Sequence, residues 1–146
     1  ALLWRGRLPV FRRDLVLGGD ILFFAQAAMR AQIYAYIGAP LYYYRIRSTS
    51  GYHEQDEVKW WQMVVTYERL YRYLRFCDVA EDILLWVRRF LAYRAEVVAK
   101  MAHENGNAEI CKRAQTIMQR EACIYRKTNA DHPERIREYE EILHLK

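Results

Sequence analysis

The sequence predicts an α+β fold that is predominantly α-helical, and three observations lead to this prediction. Residues 1–53 hold five of the six glycines and two of the three prolines. Residues 32–46 contain two short runs rich in tyrosine and isoleucine, which favour extended backbone. From residue 54 onward, apolar side chains recur with a helical period. We therefore expect one buried helix and a β-hairpin-like pair of strands in residues 1–53, followed by an antiparallel helical tail of about four helices in residues 54–146.

The helix of the first half is expected directly after Gly18 and Gly19, where paired glycines mark a turn. Asp20 follows and suits the N-cap or the first turn, because its carboxylate can accept the free backbone N–H groups there. The apolar residues from Leu22 to Ala31 have only a loose amphipathic spacing, so we expect this helix to be largely buried.

Two short strands are expected after that helix. The first is Gln32–Ile37, and a turn at residues 38–40 precedes the second, Leu41–Ile46. Three consecutive tyrosines in the second segment favour extended structure. The hydroxyl-rich residues 47–51 are expected to form a loop.

Four helices are expected in the tail. The first carries one apolar stripe at helical spacing, made of Trp60, Val64, Tyr67, Tyr71 and Leu74. Asp78 and Glu81 resemble a capping box that opens the second helix. Gly106 marks its end, Asn107 suits the N-cap of the third helix, and Pro133 suits the first turn of the last.

Charge and cysteine usage narrow the class of protein. Residues 1–53 hold seven arginines and two aspartates, whereas residues 54–146 hold sixteen basic and sixteen acidic residues. A positive field confined to the first half indicates an anionic partner, or serves only solubility. Three cysteines without a Cys-x-x-Cys pair fit a reduced, cytoplasmic chain better than a disulfide scaffold or a zinc site. The uncharged run 31–44 is too short to span a membrane, and the absence of Met at Ala1 suggests a piece of a longer protein.

Asp20 is the first candidate for chemistry. A carboxylate that follows two glycines at the start of a helix can be presented to a cleft, where it could take a proton from a nucleophile. The alternative is an ordinary helix-capping aspartate, which contributes about 1 kcal/mol to stability.

The second candidate lies at the end of the tyrosine-rich strand. Arg45 and Arg47 could give a diphosphate bidentate charge-assisted hydrogen bonds, and Ser50 in the following loop adds a neutral donor. Tyr44, next to Arg45 in the strand, is expected in the same site. The alternative is an edge strand whose arginines are solvated.

Together these segments resemble the carboxyl-terminal part of a family 2 glycosyltransferase catalytic domain, a GT-A-type enzyme that uses nucleotide-activated sugars. The matching stretch is GGDILFFAQAAMRAQIYAYIGAPLYYYRIRSTS (18–50), and FRRDL (11–15) resembles a segment that lies upstream of it in that family. The resemblance implies that Asp20 is the base that deprotonates the acceptor hydroxyl. It also implies that Arg45 and Ser50 lie near the donor diphosphate, and that His53 is a metal ligand, with a surface-loop histidine as the alternative.

The sequence departs from that family in four ways. Gly19 stands where the family usually has Glu, and the segment between Asp14 and Asp20 is short for the family. The chain also has no Asp-x-Asp motif and no amino-terminal βαβ pattern. We therefore expect residues 1–53 to be the acceptor side of a catalytic domain and residues 54–146 to be a helical extension. A divalent metal, Mg²⁺ or Mn²⁺, is expected for the full-length enzyme with most ligands outside this chain, and the fragment alone is expected to be inactive.

Partners follow from the same reading. A nucleotide-sugar donor and a glycan or lipid-linked acceptor are expected. The aromatic and basic helix at residues 59–76 could lie on an anionic membrane at the inner face, or it could pack in the core. The tail could also pair with a second copy. Nucleic acid is not expected, because the charges of the tail balance and no RNA-binding motif appears. The alternative to an enzyme is a non-catalytic helical interaction module.

Overall fold

The computed structural model describes residues 12–35, 38–39 and 56–145. This part of the chain contains five α-helices: α1 (Gly19–Ala28), α2 (Glu57–Phe76), α3 (Glu81–Glu104), α4 (Ala108–Thr128) and α5 (Pro133–Leu143). The long helices α2, α3 and α4 follow one another through short joints, as the sequence predicts for the tail.

Helix α3 is the centre of the fold. It packs along α4 on one side and along α2 on the other, while α5 lies on α4 and α3 and α1 lies on α2. The buried side of α3 carries four alanines with no exposed surface, Ala92, Ala95, Ala99 and Ala102. Small side chains at a helix contact let the backbones approach closely. Larger apolar side chains fill the remaining core, and burial of each contributes about 1.5–3 kcal/mol.

Several helix ends form as the sequence predicts. The Asn107 side chain accepts a hydrogen bond from the Ile110 N–H at 3.2 Å and caps α4. Gly106, just before it, has a φ of 72°, a left-handed conformation that glycine adopts without cost. Pro133 occupies the first turn of α5. A further cap is Asp56, whose carboxylate accepts the N–H groups of the first turn of α2.

The predicted α+β class is wrong, because the residues that the structure describes form five helices and no strand. In the first expected strand, Gln32–Ile37, residues 32–35 are irregular and the last two lie outside the described ranges. Ile33 and Tyr34 are 73% and 69% exposed. Their β-propensity depends on packing against a neighbouring sheet face, which these exposed side chains lack. The second expected strand, Leu41–Ile46, lies outside the described residues.

Two finer predictions are also wrong. The expected capping box at Asp78 and Glu81 does not form, because α3 begins at Glu81 after Ala80, which makes no side-chain cap. Asp78 instead has a φ of 54° in the turn that leaves α2. The helix expected to be largely buried, α1, buries only Leu22. Among the described residues it packs mainly on α2, and most of its circumference stays partly or fully exposed.

One buried carboxylate of the helical tail, Glu121, is paired with two arginines. Glu121 is only 3% exposed, and its two oxygens accept hydrogen bonds from Arg88 and Arg120, each at 2.7 Å. Arg120 also reaches Glu68 on α2 at 3.0 Å. Only Glu121 is buried, whereas Arg88 and Arg120 are 28% and 50% exposed, so each ion pair contributes less than a fully buried one would. These ion pairs tie α2, α3 and α4 together.

Candidate functional site

Asp20 lies in the first turn of α1, and its side chain is exposed. Its Oδ1 accepts a hydrogen bond from the N–H of Ile21 at 2.9 Å. Within the described ranges, no lysine or arginine forms an ion pair with this carboxylate. The carboxylate therefore keeps acceptor capacity that an incoming hydroxyl group could use.

Gly18 sets the start of α1. It is the N-cap residue and has a φ of 78°, which L side chains rarely adopt. A Cβ at this position would also come within 2.9 Å of the Met63 sulfur and 3.0 Å of the Thr66 Oγ1. The glycine thus lets the turn that carries Asp20 approach α2 closely.

A polar row on α2 holds the segment that precedes α1. Gln62 Oε1 accepts hydrogen bonds from the backbone N–H groups of Val16 and Leu17. One turn further along α2, the buried hydroxyl of Thr66 donates to the Leu17 carbonyl at 3.3 Å. Since these two side chains satisfy three backbone groups, they fix the position of the turn at the start of α1.

An ion-pair cluster extends this row. Arg12 and Arg69 both bond the carboxylate of Asp14, at 2.8 and 2.9 Å. The hydrogen bonds from Arg12 first, and then from Arg69, hold the pKa of Asp14 well below its usual range. All three side chains are largely solvent-accessible, so screening keeps the contribution of the cluster to stability small. The conspicuous FRRDL segment (11–15) thus supplies an attachment to α2.

At the other end of α1, the side chain of Arg30 donates to the Gln26 carbonyl at 2.9 Å and lies near the Tyr73 hydroxyl at 3.4 Å. The guanidinium also sits 5.9 Å from the centre of the Tyr73 ring. The contacts at Gln62, Thr66, Arg69 and Tyr73 therefore follow one side of α2 along the length of α1.

The remaining predicted site residues, Tyr44, Arg45, Arg47, Ser50 and His53, lie outside the described residues. Their expected place beside Asp20 stays a prediction.

The described residues contain no cluster of side chains that could bind a divalent metal ion. Between residues 12 and 145, leaving out the undescribed positions, no group of three or more His, Cys, Asp or Glu could hold a metal ion. The expectation of Mg²⁺ or Mn²⁺ concerns a longer protein and stays a prediction. Cys77, Cys111 and Cys123 are all free thiols.

The packing of α2 determines which side chains of residues 59–76 are accessible to the expected membrane contact. Trp60 is 6% exposed and Tyr67 is 5% exposed. The Tyr67 ring stacks on Phe90 of α3 at 5.8 Å, so this aromatic face belongs to the core. No helix among the described residues is long and apolar enough to cross a bilayer. A peripheral contact would have to use other side chains, and it stays a prediction.

The sequence-based reasoning missed Gln62 and Thr66. The apolar stripe, on which the prediction for this helix rests, does not include either residue. A visible signal existed, since Gln62, Thr66, Arg69 and Tyr73 recur at offsets of 4, 7 and 11 and form a second, polar stripe. The sequence does not show which backbone groups that stripe would meet.

Comparisons of this chain with protein-family models, with curated protein sequences and with solved structures give no match.

Proposed function

We propose that this chain is the acceptor-side end of a nucleotide-sugar-dependent glycosyltransferase, with Asp20 as the general base. The observation that carries the proposal is the exposed Asp20 carboxylate in the first turn of α1. It is supported by the sequence resemblance of residues 18–50 to family 2 enzymes, which places a catalytic aspartate at this position.

The proposed chemistry needs a carboxylate that is both accessible and held in place. In an inverting sugar transfer, the acceptor hydroxyl must lose its proton as it attacks the anomeric carbon. Asp20 would accept that proton on an oxygen that has spare acceptor capacity. Gly18, Gln62 and Thr66 would keep the carboxylate in position by fixing the turn before α1 on α2. Arg45 and Ser50 would stabilise the negative charge that grows on the leaving diphosphate.

The test is the substitution Asp20→Asn in the full-length protein that contains these residues. Removal of a general base should lower the rate of sugar transfer by about 10²–10⁴-fold. The fold should be unaffected, because the side chain is exposed and Asn can still accept the Ile21 N–H bond. The measurement is transfer from a panel of nucleotide-sugars to glycan and lipid-linked acceptors.

Asp82→Asn is a matched control. Asp82 also lies exposed in the first turn of a helix, α3, and accepts the N–H of the next residue at 2.9 Å. We expect this variant to transfer sugar at the unaltered rate. Equal activity of the Asp20 and Asp82 variants would remove Asp20 from the proposed role.

A second candidate function is a non-catalytic helical interaction module, and one surface favours it. At the corner between α2 and α3, Phe76 is 89% exposed, Trp86 53% and Ile83 45%. This apolar corner could bury against a second copy of the chain. Sedimentation equilibrium should then show a dimer that the double variant Phe76→Ser/Trp86→Ser converts to a monomer, whereas a monomer at all concentrations would contradict the self-association.

A further inference from the structure

A cavity of about 460 Å³ opens between α3, α4 and α5. Residues of α1 do not line it. Its volume lies within the range of about 300–1,000 Å³ that is typical of small-molecule sites. Aromatic, cationic and buried polar side chains line the cavity, and each kind favours a different group on a ligand.

The floor of the cavity offers two hydrogen-bond acceptors. Glu96 is 8% exposed and Asn129 is 4% exposed. One oxygen of Glu96 accepts the Tyr125 hydroxyl at 2.9 Å, and the Asn129 amide nitrogen donates to the Tyr125 carbonyl at 2.9 Å. The other oxygen of Glu96 and the amide oxygen of Asn129 receive no donor from the described residues. Neither oxygen is among the fully buried atoms without a partner in the described residues, so both can accept hydroxyl donors from a ligand in the cavity that these two residues line.

The electrostatics of Glu96 agree with that role. Burial raises the pKa of its carboxyl, while the hydrogen bond from Tyr125 acts in the opposite direction. A further hydrogen bond from a ligand hydroxyl would replace part of the lost hydration of this carboxylate.

The rim of the cavity carries two arginines without an ion-pair partner among the described residues, although the charge of Arg135 also acts on Glu96. Arg89 on α3 and Arg135 on α5 are both exposed and line the opening. Neither guanidinium lies within ion-pair distance of an acid in the described part of the chain. Lys100, by contrast, is paired with Glu138 at 3.2 Å. The rim therefore suits one anionic group, and a carboxylate matches the fork of a guanidinium.

One wall of the cavity is aromatic. Tyr93 and Phe90 both line it, and the Tyr93 ring is 48% exposed. The Arg94 guanidinium lies 5.4 Å from the centre of the Tyr93 ring, and the remaining exposed part of the ring offers an apolar surface to a ligand that has a flat face of its own. The C–H face of a pyranose ring has that property while its edge carries hydroxyl groups.

We propose that this cavity binds an acidic saccharide. The hydroxyl groups of the sugar donate to Glu96 and Asn129, its ring lies against Tyr93, and its carboxylate is held by Arg89 and Arg135. A phosphate ester is disfavoured, because its second negative charge would meet the carboxylates of Glu96 and Glu138. The inference stands independently of the role proposed for Asp20.

The test uses the full chain and two disaccharides that differ by one group. Cellobiouronic acid carries a carboxylate where cellobiose carries a hydroxymethyl group, and binding of each is measured by isothermal titration calorimetry. We expect the acid to bind with a dissociation constant in the range of about 0.1–1 mM, and cellobiose to bind about tenfold more weakly. The double variant Arg89→Gln/Arg135→Gln should lose that tenfold preference, since it removes the charge-assisted bonds.

The matched control is Arg72→Gln/Arg137→Gln, which removes the same charge from exposed arginines of α2 and α5 that do not line the cavity. This variant should bind the acid as the unaltered chain does. Three results would overturn the proposal: no binding of either disaccharide at about 10 mM, equal loss in both double variants, or tighter binding of adenosine monophosphate than of the acid. Far-ultraviolet circular dichroism of each variant confirms that the helices are intact.

Discussion

Two regions of the molecule are stabilised by different interactions: the segment that contains α1, where it attaches to α2, and the helical tail, where its helices pack on one another. In residues 12–35, attachment to α2 relies on backbone hydrogen bonds to Gln62 and Thr66, on the Asp14 ion pairs and on two buried leucines, Leu15 and Leu22. In α2–α5 the interfaces are continuous apolar layers. Apolar burial grows with area, whereas exposed polar contacts exchange with water at small net gain. The α1 segment should therefore open more easily than the tail, which places the candidate catalytic carboxylate on the more mobile part of the fold.

The largest effect expected is from truncation of the tail core. Leu91 on α3 is 1% exposed, and Leu91→Ala should lower the free energy of unfolding by about 2–5 kcal/mol through lost burial and a cavity. Leu22→Ala makes the same chemical change on α1 and should cost less, because its surroundings can collapse or detach. Urea unfolding followed by circular dichroism measures both. An equal cost for the two substitutions would contradict the distinction between the regions.

The next effect concerns the two left-handed glycines. Gly18→Ala should lower stability by about 1–3 kcal/mol, because the substitution adds both backbone strain and a contact with Met63. Gly106→Ala has nearly the same φ but meets no atom within 4 Å, so only the backbone strain of about 1 kcal/mol remains. Hydrogen exchange of the α1 amides should accelerate in the Gly18 variant alone. Unchanged exchange there would show that the close approach to α2 is not needed.

The two regions should also respond to pH with opposite sign. The pKa of Asp14 is lowered in the fold, so its contribution is present above the unfolded value and is lost as the pH falls below about 3.8. The pKa of Glu96 is raised, so its contribution is present below about 4.5 and is lost as the pH rises through the folded value. Glu96→Gln should therefore stabilise the chain at pH 7 and have less effect near pH 4.

Chemical denaturation of the unaltered chain and of the Glu96→Gln variant, at pH 7 and near pH 4, measures the change in the free energy of unfolding. Asp14→Asn is the companion variant, and it should remove a contribution that is present at pH 7 and smaller near pH 2. A Glu96→Gln effect that is the same at both pH values would exclude titration of the carboxyl as its cause.

The smallest effect expected is at Gly19, the first residue of α1. A Cβ at this position meets the Leu15 side chain at 3.7 Å and the Arg12 carbonyl at 3.8 Å, which are ordinary contacts. Gly19→Glu should raise stability by about 0.5–1 kcal/mol, because it removes a glycine from a helix and adds a negative charge to the first turn. Thermal unfolding measures the change, and a loss of stability would mean that the first turn of α1 does not accommodate the larger side chain.

The sequence by itself determined three ends of the tail helices, namely the end of α3 and the starts of α4 and α5. Asn107, Gly106 and Pro133 act through local backbone chemistry, which needs no information from distant residues. The apolar stripe of α2 was equally readable, because the period of a helix is fixed by its geometry. Asp20 was placed in the first turn of a helix for the same local reason.

Only the tertiary structure decided the rest. Tyrosine and isoleucine favour strands only where a sheet receives them, so Ile33 and Tyr34 led to a wrong class. Gln62 and Thr66 of the polar row hydrogen-bond to backbone groups that are 45 or more residues away in the sequence. Only the packing of α1 on α2 brings these groups together. The cavity between α3, α4 and α5 likewise combines residues that are distant in sequence. Contacts between distant segments depend on how whole helices pack, and local propensity carries no record of that packing.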